Sequence, residues 1–362
     1  MFQEIAVNLE KNSYQILIGK SALSRLTNFL SQKSYSKIIV ITDDNVAKIY
    51  QKDFLSIHPS ADFIIIKNGE SSKSFENLQK ICEEILQKNI DRKTLLIALG
   101  GGVVGDFTGF CASILLRGLD FIQIPTTLLA MIDSSVGGKT AINSKSGKNL
   151  IGSFYQPKLV ICDINFLNSL PDREFKAGYA EIVKYGFIFD ESFFNFLDKN
   201  LDKIFDKNQQ ILEQIIAKSC EIKAQIVGRD EKEQGERAIL NFGHTFGHVL
   251  EIETNYSAEL IHGEAVAIGM LLASELSMNL GLIDESTYQK IFDHLSRCGF
   301  KLKLQDIRKN WTTENLINHF FKDKKTEHNQ LNFIVLNKIG FAKIYKNISI
   351  NIIKDLLKKH LD

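Results

Sequence analysis

The distribution of apolar positions changes character partway along the chain. In the first part, short unbroken apolar runs recur at residues 37–42, 63–66, 95–99 and 121–124. Runs of this length without alternation predict strands buried on both faces, as in a parallel sheet. Helix-length segments such as residues 74–89 lie between them, so strand and helix alternate as in a doubly wound α/β domain. Ahead of these, residues 5–9 and 14–18 flank the polar stretch 10–13 and predict a hairpin. Pro157 and Pro171, two of only four prolines, bracket a transition near Asn168. Beyond it, apolar residues recur at three- and four-residue steps across 191–205, 208–227 and 265–280, the pattern of amphipathic helices. Two late apolar segments, 332–336 and 340–345, predict a second hairpin. The expected organisation is an α/β domain over residues 1–168 and a mainly α-helical domain over 169–362.

Composition narrows the setting. With 362 residues, 44% hydrophobic and 24% charged, the chain can build two domains with ample cores. A balance of 44 basic against 43 acidic residues leaves a net charge of +1, which gives no electrostatic reason to expect nucleic acid or an anionic membrane as partner. Cys82, Cys111, Cys162, Cys220 and Cys298 are odd in number and never spaced Cys-x-x-Cys, which predicts free thiols in a reducing cytosol. The first residues carry neither a basic cluster nor an apolar core, so no signal peptide is expected. The most apolar stretch, 110–132, is interrupted by Arg117, Asp120, Gln123 and Pro125 and is not expected to span a membrane.

Three segments carry candidate chemistry. Gly100-Gly-Gly-Val-Val-Gly-Asp106 follows a predicted strand and opens an apolar helix. Its Gly-x-Gly-x-x-Gly spacing lets backbone approach a pyrophosphate at a helix N-terminus. Gly137-Gly-Lys-Thr140 imitates the end of a Walker loop, but Asp133 occupies the position where that motif requires glycine, so an ATPase is rejected. The nearby Lys139, Lys145, Lys148 and Asn149 still make a basic, glycine-rich loop suited to phosphate or merely solvated. The third segment is Asn241-Phe-Gly-His-Thr-Phe-Gly-His248, with His262-Gly-Glu fourteen residues on. His244 and His248 lie one helical turn apart and share a face. Together with His262 and Glu181 they offer the imidazole and carboxylate donors of an open catalytic zinc site. Gly243, Gly247 and Gly263 each cost about 1 kcal/mol relative to alanine in a helix, which suggests close approach of backbone or ligand.

Taken together and in order, these motifs resemble the 3-dehydroquinate synthase family of the shikimate pathway. The resemblance rests on Asn68-Gly-Glu-Ser-Ser-Lys73, the glycine loop, Arg117-Gly118, Pro125-Thr-Thr127, Asp133-Ser-Ser-Val-Gly-Gly-Lys139, Gly147-Lys-Asn149, Ala180-Glu-Ile-Val-Lys184, the segment from Arg237 to His248, His262-Gly-Glu-Ala and Asp323-Lys-Lys325. Asn68, where the family often has Asp, and Ser169, where it often has Thr, are small departures that keep a hydrogen-bonding group. The resemblance implies a Rossmann-like N-terminal domain, bound NAD, and a divalent metal, zinc or cobalt, on Glu181, His244 and His262, with His248 moved to the substrate. It implies NAD contacts from Asp43, Asn45, Glu70, Lys73, Gly101, Gly102, Val103, Gly105, Asp106, Thr126, Thr127, Lys148, Phe166, Leu167, Asn168 and Ser169.

The implied substrate is 3-deoxy-arabino-heptulosonate 7-phosphate. NAD would oxidise a ring hydroxyl, phosphate would leave by β-elimination, the hydride would return, and ring opening with an internal aldol step would close the carbocycle. Lys184 would polarise the oxidised hydroxyl, and Asp133 and Asn241 would orient the ring. Lys223 and Arg237 would hold the carboxylate. Lys139, Asn149, His248 and Lys324, in preference to Lys325, would cradle the phosphate. Arg117 would reach across a homodimer interface in a cytoplasmic enzyme. Rival readings are a metal-dependent polyol dehydrogenase, another sugar phosphate cyclase acting on a substrate without a carboxylate, and a non-catalytic protein with structural zinc, which would need four closing ligands, often cysteine.

Overall fold

The computed structural model describes residues 2–323 and 331–361. Its strands are β1 (Gln3–Val7), β2 (Tyr14–Gly19), β3 (Lys37–Asp43), β4 (Asp62–Ile66), β5 (Thr94–Gly100), β6 (Asp120–Pro125), β7 (Lys139–Ser144), β8 (Gly147–Phe154), β9 (Leu159–Asp163), β10 (Leu331–Lys338) and β11 (Phe341–Ile348). The helices are α1 (Arg25–Ser31), α2 (Asp44–Ile57), α3 (Phe75–Gln87), α4 (Gly102–Ile114), α5 (Asp172–Ile188), α6 (Glu191–Lys199), α7 (Leu201–Phe205), α8 (Gln209–Arg229), α9 (His244–Glu253), α10 (His262–Asn279), α11 (Glu285–Arg297), α12 (Thr313–Asp323) and α13 (Ile350–Leu361). No helix among the described residues is long and apolar enough to cross a membrane.

Two compact units emerge. The first contains residues 1–175 and 207–232, and the second residues 176–206 and 233–362. The first is built on a seven-stranded sheet of order β1-β2-β9-β6-β5-β3-β4. Only the β1–β2 hairpin pairs antiparallel; the other neighbours are parallel. All seven residues of β5 are buried, because β3 and β6 flank it and α4 packs on it. Ile39, Ile41, Leu96, Ala98, Phe107, Phe121 and the apolar face of α3 form one cluster there. Burying a side chain such as Phe107, fully inaccessible, contributes about 1.5–3 kcal/mol. Helix α8 packs on β1 and β2. It therefore belongs with the sheet, although its sequence position put it in the helical half.

Three further features differ from the sequence expectation. The basic segment around residues 137–149 is not a loop but most of an antiparallel ribbon, with β7 paired to β8. Strand β9 was not foreseen. The helix expected over 191–205 breaks at Asn200, whose φ of −108° and ψ of 17° lie outside the helical range. Residues Ala130–Ser134 form a single π-helical turn, closed by the bond from Ser135 N to the Ala130 carbonyl at 3.2 Å. The wider turn leaves the Met131 carbonyl to accept from Cys220 Sγ at 3.3 Å and Cys162 Sγ at 3.8 Å. All five cysteines are free.

The second unit is mainly helical. The β10–β11 hairpin, which contains two irregularities in register, packs on α10. Helix α10 is buried almost all round, as its lack of a polar face requires. The C-terminal helix α13 is anchored through Glu275 of α10. That carboxylate, about 1% exposed, accepts from Lys359 Nζ and His360 Nε2, both at 2.6 Å.

Candidate active site

In the first unit the winding direction reverses between β3 and β5: β4 follows β3 on one side, and β5, β6 and β9 follow on the other. Ligands of open α/β sheets bind outside the carboxyl ends of strands at such a reversal. Asp43 ends β3, Gly101 and Gly102 follow β5, Thr126 and Thr127 follow β6, and Phe166, Leu167, Asn168 and Ser169 follow β9. These expected dinucleotide residues thus share the carboxyl end of one sheet, whereas Lys148 lies on the separate β7–β8 ribbon. Asp43 Oδ1 caps α2, accepting from Asn45 N at 2.9 Å and Val46 N at 3.0 Å. Tyr50 of α2 meets Ser169 Oγ at 2.5 Å. Val103 and Gly105 lie in the first turn of α4. A Cβ on Gly105 would stand 2.6 Å from Gln123 Oε1, so a larger residue here would have to displace the Gln123 amide.

Lys73 is 2% exposed and organises its neighbours. Its Nζ lies 2.7 Å from Asp106 Oδ2 and 3.7 Å from Glu70 Oε1, and it donates to Asn149 Oδ1. Burial, which outweighs Lys73 and is reinforced by Glu70 and Asp133, pushes the Asp106 carboxyl up to about 6. Asn143, not anticipated from sequence, ties the β7–β8 ribbon to this group. It accepts from Asn149 N at 2.9 Å and donates to Glu70 Oε1 at 2.8 Å. Asn149 is exposed and in the left-handed region at φ 56°; Lys139 is exposed and Lys148 partly so. Asp133 sits in the π turn, where Lys223 Nζ donates to both its carbonyl and Oδ1 at 2.5 Å. Lys223 therefore holds Asp133; Arg237, with which the sequence reading paired it at the substrate carboxylate, belongs to the second unit.

In the second unit three helices converge. Glu181 and Lys184 lie one turn apart on α5, His244 begins α9 and His262 begins α10. Donor atoms of Glu181, His244 and His262 all lie within 4.8 Å of one another, the one such group found among the described residues. His244 Nε2 is 3.4 Å and His262 Nε2 is 3.5 Å from Glu181 Oε1. Glu181 is fully buried, ion-paired to Lys184, and neither of its oxygens has a well-formed hydrogen bond. His248 stands beside this group, its ring centroid 5.5 Å from that of His244 and 6.4 Å from that of His262.

The far side of each imidazole settles its tautomer. His244 Nδ1 faces the Phe242 carbonyl at 3.3 Å, and His262 Nδ1 faces Glu251 Oε2 at 3.2 Å. A carbonyl and a carboxylate only accept, so each Nδ1 carries the hydrogen and each Nε2 offers a lone pair. Two lone pairs and a carboxylate oxygen aimed at one point repel unless a cation lies among them, so the donor set fits a divalent metal. Burial and Lys184 push His244 down to about 3, keeping it neutral. Burial opposes protonation of His262, but Glu181 and Glu251 raise it to about 10. Burial would raise Glu181, yet the Lys184 cation above all holds it well below the usual carboxylate range.

The glycines of this segment serve close packing of helices. A Cβ on Gly263 would lie 2.1 Å from the Ala177 carbonyl oxygen of α5. Arg237, 2% exposed, and Asn241 lie in the 3₁₀ turn leading to α9, and Asn241 Nδ2 donates to Glu233 Oε1 at 3.1 Å. Arg117 is exposed, and it and Leu116 are consecutive non-glycine residues at positive φ, 67° and 49°. Lys324 and Lys325 lie outside the described residues. The sequence reading missed Glu251, though its spacing was visible: 244, 248 and 251 fall on one face of α9.

Comparison with known proteins bears on both units. A family model described as 3-dehydroquinate synthase N-terminal matches residues 63–177, and one described as 3-dehydroquinate synthase C-terminal matches residues 178–326. A 3-dehydroquinate synthase of Bartonella tribocorum is 46% identical over 99% of this chain and 98% of its own length. Among solved structures, a 2-deoxy-scyllo-inosose synthase complexed with carbaglucose-6-phosphate, NAD+ and Co2+ has a TM-score of 0.89 at 26% identity, covering 100% of both chains. A 2-epi-5-epi-valiolone synthase from Streptomyces hygroscopicus with NAD+ and Zn2+ bound has a TM-score of 0.86 at 25% identity, covering 97% of this chain and 98% of its own. The fold is thus shared with other sugar phosphate cyclases, while the higher identity and both family matches place the chain in the 3-dehydroquinate synthase family.

Proposed function

We propose that the protein converts 3-deoxy-D-arabino-heptulosonate 7-phosphate to 3-dehydroquinate and phosphate, with NAD and a divalent metal, zinc or cobalt, as cofactors. The observation that carries this is the convergence of Glu181, His244 and His262 beside the buried Lys184, in a chain whose two halves both match the family. When bound, NAD supplies a hydride acceptor that returns its hydride within the turnover, and the metal supplies a Lewis acid. The protein's own part is positional and electrostatic. In the first unit, the carboxyl ends of β3, β5, β6 and β9 present Asp43, Asn45, Gly101, Gly102, Thr126, Thr127 and the 166–169 turn to the dinucleotide. Lys73 with Glu70 and Asp106 supplies charge there, and Lys148 on β8 adjoins Asn149, to which Lys73 donates.

Lys184 directs its cation at the hydroxyl to be oxidised. Arg237, rigid and buried, suits a planar carboxylate through paired hydrogen bonds; Lys223, engaged with Asp133, assists it. This is why a cyclase for substrates without a carboxylate is disfavoured. Asp133 and Asn241 orient the ring. Lys139, Asn149, His248 and Lys324 form the phosphate-binding set. The strained turn at Arg117, of the kind often kept at functional positions, presents that side chain to a second subunit of a homodimer working in the cytoplasm.

The test is to incubate the protein with the heptulosonate phosphate, zinc or cobalt, and a small molar fraction of NAD. Phosphate and carbocyclic product should accumulate in large excess over NAD, with no lasting NADH absorbance. One NADH released per product would establish a dehydrogenase and overturn the proposal. Arg237→Ala should weaken substrate binding by about 2–5 kcal/mol, while an analogue lacking the carboxylate binds both proteins alike.

A further inference from the structure

The two imidazoles of the candidate metal centre are backed differently. His244 Nδ1 donates to a neutral carbonyl two residues back, Phe242 at 3.3 Å. His262 Nδ1 donates to the carboxylate of Glu251 at 3.2 Å. Glu251 is 5% exposed and sits two turns after His244 on the same helix, α9, while His262 begins α10. One helix thus provides a metal-facing imidazole at its start and a carboxylate behind the other imidazole near its end. A hydrogen bond to an ionised acceptor is roughly twice as strong as one to a neutral acceptor. It also raises electron density on the opposite ring nitrogen and fixes ring orientation.

We infer that Glu251 is a positioning residue of the metal centre: it holds His262 in the Nδ1–H tautomer with Nε2 aimed at Glu181, and strengthens His262 as a ligand for a divalent cation. The inference rests on the metal reading above. Without the carboxylate, the His262 ring is free to rotate about its side-chain torsions and to carry its hydrogen on Nε2. In that tautomer the nitrogen facing Glu181 has no lone pair for a metal. His244, whose carbonyl partner belongs to its own turn of chain, keeps its tautomer whatever occupies position 251.

The experiment measures zinc and cobalt affinity by chelator competition in wild type, Glu251→Ala and Glu251→Gln. The visible absorption of the cobalt forms and the melting temperature of the metal-free forms are read in parallel. Glu251→Ala should bind both ions about 10–100-fold more weakly, with an altered cobalt spectrum. Glu251→Gln, nearly isosteric and still able to accept, should fall between Ala and wild type. If Glu251→Ala fails to fold, Glu251→Gln decides. Wild-type affinity and spectrum in a folded Glu251→Gln would then overturn the inference. A lower melting temperature in either variant with unchanged metal affinity is the mark of packing alone and would overturn it equally. Failure of the wild type to take up either ion would overturn the metal-centre reading along with it, so the two failures are distinguishable.

Discussion

Among single residues, His248 and His262 give the sharpest contrast. Both were equal candidates on spacing, since one turn of helix puts His248 on the same face as His244. The geometry separates them, because His262 has an Nε2 that converges with Glu181 and His244 and an Nδ1 held from behind. Glu181→Gln, His244→Ala and His262→Ala are each expected to lose bound metal, while His248→Ala keeps it and loses turnover. Elemental analysis beside an activity assay checks this. A metal-free His248→Ala together with a fully loaded His262→Ala would reverse the assignment. The three residues that converge were legible in sequence because few residue types can serve as metal donors. Lys223 and Asp133 were both named as well, but not their pairing: they lie ninety positions apart, and no local pattern reveals such a contact.

At the scale of elements, the candidate metal centre depends on contacts made by residues that are not themselves donors. Gly263 brings α10 against α5 so closely that a methyl group would stand 2.1 Å from the Ala177 carbonyl. Gly263→Ala must move one helix, and His262 begins one while Glu181 sits on the other. Overpacking of this kind costs about 1–3 kcal/mol or more. Metal affinity should fall even though every donor atom is retained; unchanged affinity in a folded variant would show that the contact relaxes elsewhere.

A second element-level prediction concerns α13. Burial works against ionisation of Glu275, but His360 and Lys359 hold its carboxyl at about 2, below the ordinary 4.5. The folded state then binds fewer protons than the unfolded one, so the stabilisation is present above pH 4.5 and lost as pH falls toward 2. Its size is on the order of 1–3 kcal/mol. Urea unfolding across that window should show wild type losing this increment, and Glu275→Gln should lack it throughout. Strands β3 to β6 were legible because unbroken apolar runs leave few alternatives. The β7–β8 ribbon was not, since it carries lysine, asparagine and glycine in a pattern that a solvated loop shares, although Thr140, Ala141 and Ile142 are buried. Strand β9 has the same apolar run as its neighbours but abuts Pro157 at the point where the periodicity changes.

Across the whole molecule, the change of pattern near residue 168 marks the end of the sheet. It does not reveal that α8 returns to that sheet, because an amphipathic helix carries no record of which surface it covers. The chain passes between the two units at 175/176, 206/207 and 232/233. The unit that contains the sheet is therefore discontinuous in the gene. Ile215, Ile216, Cys220, Ile222, Ile226 and Val227 of α8 are buried, at about 1.5–3 kcal/mol for each large aliphatic side chain. A fragment ending at residue 175 would leave the surfaces of β1 and β2 that α8 covers open to water, and is expected to aggregate. Residues 1–175 joined through a short linker to 207–232 should instead be soluble and unfold cooperatively, as circular dichroism would show. A soluble, cooperatively folded 1–175 fragment would contradict this. Any attempt to split, shuffle or separately express the halves of this protein has to cut it at three points into four pieces and rejoin them in two pairs.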